Sequence, residues 1–250
     1  MDPAGAACLV TGASSGIGRA TAEALARKGA RLALSGRDPA RLRAVAADTG
    51  GEAILADLTE PGAPARVARE ARERLGGVDV LVNNAGVGLA GPFGDADAAR
   101  VDELVAVNLR APMLLARALV PDMLERGRGA VVNVASIAGH LGVAGETVYA
   151  ASKAGLIGFS ESLRQELSHT PVRVSLVSPG VVDTMFFERR GVPYARRRPR
   201  PVPPERVAAA ILAAIETGAP RLFVARWFAL PVRLHATLPG VYRTLAARFG

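Results

Sequence analysis

Cysteine occurs once in this 250-residue chain, at Cys8, so no internal disulfide can form and a disulfide-built secreted scaffold is excluded. Cys8 lies in an apolar run and reads as a small buried hydrophobe rather than a nucleophile. Histidine is confined to positions 140, 169 and 235, which lack metal-ligand spacing, so no metal site is read. Although 50% of the chain is hydrophobic, it has no run of eighteen apolar residues, and no membrane-spanning helix is expected. The opening residues MDPAGAACLVTG have neither a basic leader nor a long apolar stretch. They do not read as a secretory signal, and the expected location is cytoplasmic.

Lysine and asparagine are scarce too. Of 31 basic residues only Lys28 and Lys153 are lysine, and asparagine stands only at 83, 84, 108 and 133. In such a chain a retained lysine or asparagine is a candidate for chemistry that arginine or another residue cannot supply. The net charge of +8 is unevenly spread: from Arg189 onward twelve arginines face only Glu205 and Glu216. The excess of base therefore belongs to the last quarter of the chain and points to a local acidic partner. No recognition motif accompanies it, so nucleic acid is not expected.

What is present is an alternation. Short apolar runs, ACLVT (7–11), RLALS (31–35), EAILA (52–56), VDVLV (78–82), AVVNVA (130–135), VRVSLVS (172–178) and RLFVA (221–225), are separated by segments with apolar residues at helical spacing. Near-continuous apolar strands between helices predict an α/β fold. The expectation is a single-domain, Rossmann-like, doubly wound sheet of about seven parallel strands with helices on both faces. The Pro- and Arg-rich stretch 189–204 reads as a loop rather than a domain boundary, because a helix and a strand follow it.

After the first run comes TGASSGIGRA, in which Gly12, Gly16 and Gly18 open a helix. Glycine permits the tight turn and the close approach of a pyrophosphate, and the helix N-terminus offers free N–H groups and partial positive charge. An ordinary strand-to-helix turn has the same composition; placement directly after the first strand favours a dinucleotide. The second strand ends Ser35-Gly36-Arg37, where an acidic residue would select the 2′-hydroxyl of NAD. Arg37 can instead pair with a 2′-phosphate, which favours NADP(H) over NAD(H). Asp38, the objection, precedes Pro39 and reads as a helix N-cap.

Tyr149 and Lys153, in TVYAASKAG, stand on one helix face. A phenol with a pKa of roughly 10 is a poor base at neutral pH, and a nearby ammonium is expected to lower that value. By itself the pair is also what a solvated helix face would show.

Together these segments resemble the short-chain dehydrogenase/reductase family. The resemblance rests on TGASSGIG (11–18), NNAG (83–86), Asn108 in VNL, Ser136 in NVASIAG, YAASK (149–153) and PGVVDT (179–184), in the family's order from residue 7 to about 184. It implies hydride transfer between nicotinamide C4 and a carbonyl carbon, with Tyr149 handling the proton, Ser136 holding the reacting oxygen, and Asn108 holding a water that links Lys153 to solvent. It further implies cofactor contacts from Gly12, Ser14, Ser15, Gly16, Ile17, Gly18, Arg37, Asp57, Leu58, Asn84, Ala85, Gly86, Tyr149, Lys153, Pro179, Gly180, Val182 and Thr184. Local roles stay open for some of these: Ser136 and Asp57 as caps, Asn108 as an amide satisfying backbone. Asn83 reads as a brace of the central sheet. The function implied is an NADP(H)-dependent ketone or aldehyde reductase of a hydrophobic small molecule. A non-catalytic NADP-binding scaffold, and a reductase of a carrier-bound or lipid substrate at a membrane surface, stand as alternatives.

The chain departs from the family pattern at its end. A homo-oligomer, dimer or tetramer, is implied, but the last strand lacks the Gly-Gly turn and short end that pack a tetramer. Instead the extension 226–250 interleaves Trp227, Phe228, Leu230, Leu234, Leu238, Val241, Tyr242, Leu245 and Phe249 with Arg226, Arg233, Arg243 and Arg248. A cover over the cleft or a neighbouring subunit, a peripheral membrane contact and an acidic carrier-docking surface all fit this pattern. Pro231 and Pro239 interrupt any long helix. In the loop region 185–204, Met185, Phe186 and Phe187 read as an apolar pocket wall, and Arg189 and Arg190 as groups that meet an acid at its mouth. His140 and Leu141 are expected near the substrate.

Overall fold

The computed structural model describes residues 1–194 and 199–249. Residues 195–198 of the expected substrate loop, and Gly250, lie outside the described residues, as do the side chains of Ala247, Arg248 and Phe249. Seven strands form one parallel sheet: β1 Ala7–Thr11, β2 Arg31–Gly36, β3 Glu52–Leu55, β4 Val80–Asn83, β5 Gly129–Val134, β6 Val172–Pro179 and β7 Arg221–Val224. Their order is β3-β2-β1-β4-β5-β6-β7. Every apolar run read as a strand is one, with boundaries shifted by no more than two residues.

The helices are α1 Gly16–Arg27, α2 Pro39–Thr49, α3 Ala63–Leu75, α4 Ala98–Val105, α5 Ala111–Glu125, α6 Ala138–Leu141, α7 Thr147–Glu166, α8 Phe186–Arg189, α9 Pro204–Thr217, α10 Ala229–Thr237 and α11 Pro239–Phe249. Strand side chains alternate between two cores. Cys8, Val10, Val80 and Val132 pack with Leu25 of α1, Leu42 of α2 and Ile211 of α9. Ala7, Leu9, Leu81 and Val131 pack with Ala71 of α3, Leu115 and Leu119 of α5 and Leu167 just beyond α7. A parallel sheet buried on both faces explains why its strands read as unbroken apolar runs. Cys8 is fully buried, and burial pushes its thiol pKa up to about 12, so it packs as a hydrophobe.

Helices α4 and α5 are joined through a π-turn, Ala106–Arg110, into one helical stretch, Ala98–Glu125. By length and composition this stretch could cross a bilayer, although the sequence holds no unbroken apolar run of that length; half of it is buried in the fold, with Leu104, Leu115 and Leu119 in the cores. At the amino edge of the sheet Asp79 accepts from Ala7 N at 2.9 Å and pairs with Arg126 at 2.7 Å and Arg128 at 3.0 Å. That cluster clamps the end of the sheet opposite the cleft.

Candidate active site

β1 sends the chain to the α1 face and its neighbour β4 sends it to the α5 face, so a crevice opens beyond their carboxyl ends. The cleft there has a volume of about 1440 Å³. One end is the glycine turn. Gly12 and Gly16 hold φ of +65° and +53°, which side-chain-bearing residues rarely adopt. A Cβ on Gly18 would stand 2.1 Å from Gly12 O, so the turn closes only without one. Ser15 caps α1 without spending its hydroxyl on the helix, and the first turn carries no acidic side chain. The open N–H groups and the cradle that a Cβ would fill fit a pyrophosphate.

Thr11, buried at the end of β1, accepts from Asn84 N at 3.0 Å and Ala85 N at 3.1 Å, while Asn84 Nδ2 donates to Thr11 O at 2.9 Å. These bonds fix Asn84, Ala85 and Gly86 on the cleft wall beside the turn. Asn83 points away: its Nδ2 donates to Asn133 Oδ1 at 2.8 Å, and Asn133 in turn donates to Ser160, which braces β4, β5 and α7.

At the adenosine end Ser14, Gly36, Arg37, Arg41 and Leu58 line the cleft. Asp38 accepts from Arg41 N at 3.0 Å with Pro39 at the start of α2, so it is the N-cap expected. Asp57 does not line the wall. Its Oδ1 accepts from Thr59 N and Thr59 Oγ1 at 2.9 and 2.8 Å, closing a turn after β3. Burial pushes its pKa up, but the Thr59 bonds and Arg37 outweigh this and hold the carboxyl below its ordinary value. Arg37 is half-exposed, with Nη1 3.2 Å from Glu103 Oε1 and 3.8 Å from Asp57 Oδ2. Glu103, on α4, also pairs with Arg100.

At the other end α7 carries Tyr149 and Lys153 side by side, with the Lys153 ammonium 5.9 Å from the Tyr149 ring centroid. Lys153 Nζ donates to Val134 O at 2.9 Å at the end of β5. Ser136, two residues on, lies close enough to the Tyr149 phenol to draw its pKa down and accepts from Ala138 N at 3.2 Å, so it both faces the phenol and caps a turn. Gly139 makes this juxtaposition: a Cβ there would stand 2.7 Å from Lys153 C and hold α6 off α7. The lowering of the Tyr149 pKa expected from Lys153 is not found. Burial pushes Tyr149 up to about 12 against the pull of Ser136, and burial pushes Lys153 down to about 8. Desolvation disfavours both charged forms and exceeds the benefit of bringing them together.

Asn108 lies in the π-turn, fully buried, and not on the cleft wall. Its Oδ1 accepts from Val87 N at 2.9 Å, and its Nδ2 donates to Val87 O at 2.9 Å and Ser152 Oγ at 3.0 Å. The amide is spent on holding the segment after β4 against α7. Gly86 gives room, since a Cβ there would stand 3.3 Å from Asn108 Oδ1.

Pro179, the last residue of β6, and Gly180, Val182 and Thr184 after it line the wall. The loop beyond them folds over the cleft: Phe186 packs on Tyr149 with centroids 5.4 Å apart, and Arg190 pairs with Glu146 just before α7. Arg190 is therefore not a free cation at the mouth. Arg189 Nη1 reaches Ser15 Oγ at 3.3 Å, which places it over the glycine turn. Leu141 lines the cleft as expected, but His140 turns away to Ser178 Oγ at 3.0 Å and the Phe223 ring. Burial, followed by Arg221, pushes its pKa down to about 4, so it is neutral. The tail also contributes, with Phe228, Tyr242 and Ala246 on the wall.

Sequence reasoning missed Thr11, Gly88, Glu146 and Gly139. A Cβ on Gly88 would meet Phe186 at 2.7 Å, so this glycine lets the loop close. Thr11 and Gly139 lay inside the quoted motifs TGASSGIG and NVASIAG, but the contacts that give all four residues their roles are made across the fold.

The family model for short chain dehydrogenases matches residues 6–192. Among characterised relatives, the ketoacyl reductase HetN of Nostoc sp. is 42% identical over 184 residues, covering 71% of this chain; the matched part spans 64% of the relative's own length. The 1-deoxy-11-beta-hydroxypentalenate dehydrogenase of Streptomyces arenae is 38% identical over 251 residues, covering 95% of this chain and 88% of the relative. Among solved structures, a short chain dehydrogenase/reductase from Burkholderia phymatum in complex with NAD superposes with a TM-score of 0.85 at 27% identity, covering 94% of each chain. A short-chain dehydrogenase from Sphingobium yanoikuyae in complex with NADPH does so with a TM-score of 0.80 at 33% identity, covering 97% of this chain and 95% of that one. Oxidoreductase relatives, nicotinamide-bound neighbours and the glycine cradle agree, and this chain belongs to the short-chain dehydrogenase/reductase family.

Proposed function

We propose that the protein is an NADP(H)-dependent reductase of ketones or aldehydes carried on a bulky apolar molecule. The observation that supports this most is the arrangement at the reactive end: Tyr149 and Lys153 stand side by side on α7, with Lys153 Nζ bonded to Val134 O at 2.9 Å and Ser136 just beyond β5. A phenol that holds its proton is a donor, and burial, which pushes Tyr149 up to about 12, suits it to that role in reduction. A reduced nicotinamide, when bound, supplies the hydride for the carbonyl carbon. Ser136 donates to the carbonyl oxygen and fixes it beside the phenol. Tyr149 passes its proton to that oxygen as charge develops, and Lys153 stabilises the phenolate left behind.

Arg37 supports NADP(H), since its guanidinium lines the cleft where a 2′-phosphate would lie. Glu103 and Asp57 hold the same guanidinium and weaken the preference. The apolar lining of the substrate side, Val87, Leu141, Val143, Phe186 and Tyr242 among others, supports a bulky hydrophobic substrate. The Streptomyces relative matched over nearly the whole chain is named as the dehydrogenase of a hydroxy acid, which puts compounds of that class among those to test. The test is a screen of apolar ketones and aldehydes, each with NADPH and with NADH, followed by cofactor absorbance. Turnover of several bulky carbonyls with NADPH ahead of NADH is expected. Binding of NADPH with no turnover of any member would instead assign a non-catalytic scaffold.

A further inference from the structure

The last two helices leave an apolar face uncovered. Pro231 lies in the first turn of α10 and Pro239 begins α11, so the prolines start two short helices rather than break one. In α11, Tyr242 and Ala246 face the cleft, while Val241 and Leu245 are 48% and 43% exposed. Leu238, at 54%, stands immediately before the helix and adds to them. Trp227 at 51% and Leu230 at 67%, three residues apart, lead into it. Arg226, Arg233 and Arg243 are exposed alongside, and among the described residues none has a carboxylate partner. No acidic residue follows Glu216 in the sequence.

We propose that this face, Trp227, Leu230, Leu238, Val241 and Leu245 with Arg226, Arg233 and Arg243, docks on an anionic lipid surface. Helices of nine and eleven residues are too short to cross a bilayer. An apolar stripe bordered by arginine suits the plane of the headgroups, where acyl chains take the stripe and acidic headgroups the cations. A symmetric contact with a second copy would set the same three arginines against each other with no counter-charge, which disfavours self-association. The face also adjoins the cleft mouth. Met185 and Val192, 53% and 45% exposed on the loop, line the same cleft as Tyr242 and Ala246. An apolar substrate leaving the bilayer would reach Tyr149 along an apolar path.

Trp227 is the only tryptophan in the chain, so its emission reports on this face alone. The full chain is mixed with vesicles of phosphatidylcholine, with or without phosphatidylglycerol, at low and high salt. Co-sedimentation, a blue shift of the emission and quenching by brominated acyl chains are expected with the anionic vesicles and are weakened by salt. The variant R226Q/R233Q/R243Q should lower partitioning by about five-fold per residue. The variant L238S/V241S/L245S should lose the binding while keeping the wild-type melting midpoint. Equal partitioning into neutral vesicles, or no partitioning into either, would overturn the proposal. A wild-type dimer that the serine variant turns into a monomer would overturn it as well, and assign the face to a second copy.

Discussion

Tyr149 and Lys153 are drawn toward their neutral forms by the burial that brings them together. The expectation that the ammonium would lower the phenol counted the charge but not the desolvation, which a sequence does not display. It leads to a pH profile. Lys153, at about 8, is charged below that value and loses its proton above it, while Tyr149, at about 12, stays protonated. The kcat/KM for carbonyl reduction is therefore expected to fall above about pH 8, and residual activity in Lys153→Arg, which keeps its charge, to lack that fall. A wild-type profile flat from about pH 6.5 to 9.5 would contradict the assignment. The cofactor end offers a second test at this scale. Arg37 was legible from its place after β2, but Glu103, 66 residues further on, was not, because only the fold brings α4 to it. Glu103→Gln is expected to tighten NADPH by about five-fold without changing NADH, and Arg37→Asp to reverse the preference. Binding titrations with both cofactors decide this; equal shifts for the two would remove Glu103 from selectivity.

The elements themselves were legible because a parallel sheet covered on both faces writes each strand as an apolar run. The α2 cap, Asp38-Pro39, was legible for the same local reason. What stayed hidden were close approaches: the π-turn that seats Asn108, Gly139 under α7, and Gly180 under the tail. A Cβ on Gly180 would stand 2.1 Å from the Phe228 ring, so this glycine lets the tail begin against β6. Gly180→Ala is expected to cost about 1–3 kcal/mol, read by urea unfolding, and a wild-type midpoint would show that Phe228 yields freely. At the opposite edge, burial raises the Asp79 pKa, but Ala7 N–H and the guanidiniums of Arg128 and Arg126 outweigh it and keep the carboxyl below its ordinary value. Its contribution is thus present above the unfolded value of roughly 3.9 and lost as pH falls through the folded one. Asp79→Asn is expected to destabilise the fold by about 3 kcal/mol at neutral pH and to flatten the acid limb of stability. An unchanged acid limb would mean that other carboxylates set it.

On the scale of the whole molecule, the family match covers residues 6–192 and ends inside the loop region, and the tail past it adds Phe228, Tyr242 and Ala246 to the cleft wall. The charge map anticipated this division, since the basic excess begins at Arg189. It did not anticipate that Arg190 would be spent on Glu146 or that Tyr242 would line the cleft, because both depend on how the loop and the tail fold back. The central claim is that a protonated Tyr149 delivers the proton that completes carbonyl reduction. The most direct measurement compares wild type and Tyr149→Phe in single turnover with NADPH and a carbonyl substrate found by the screen, with NADPH binding measured on both. The account predicts matching NADPH affinity and a turnover rate lower by about 10²–10⁴-fold in the variant. A variant that binds NADPH normally and reduces the substrate within a few-fold of wild type would contradict it.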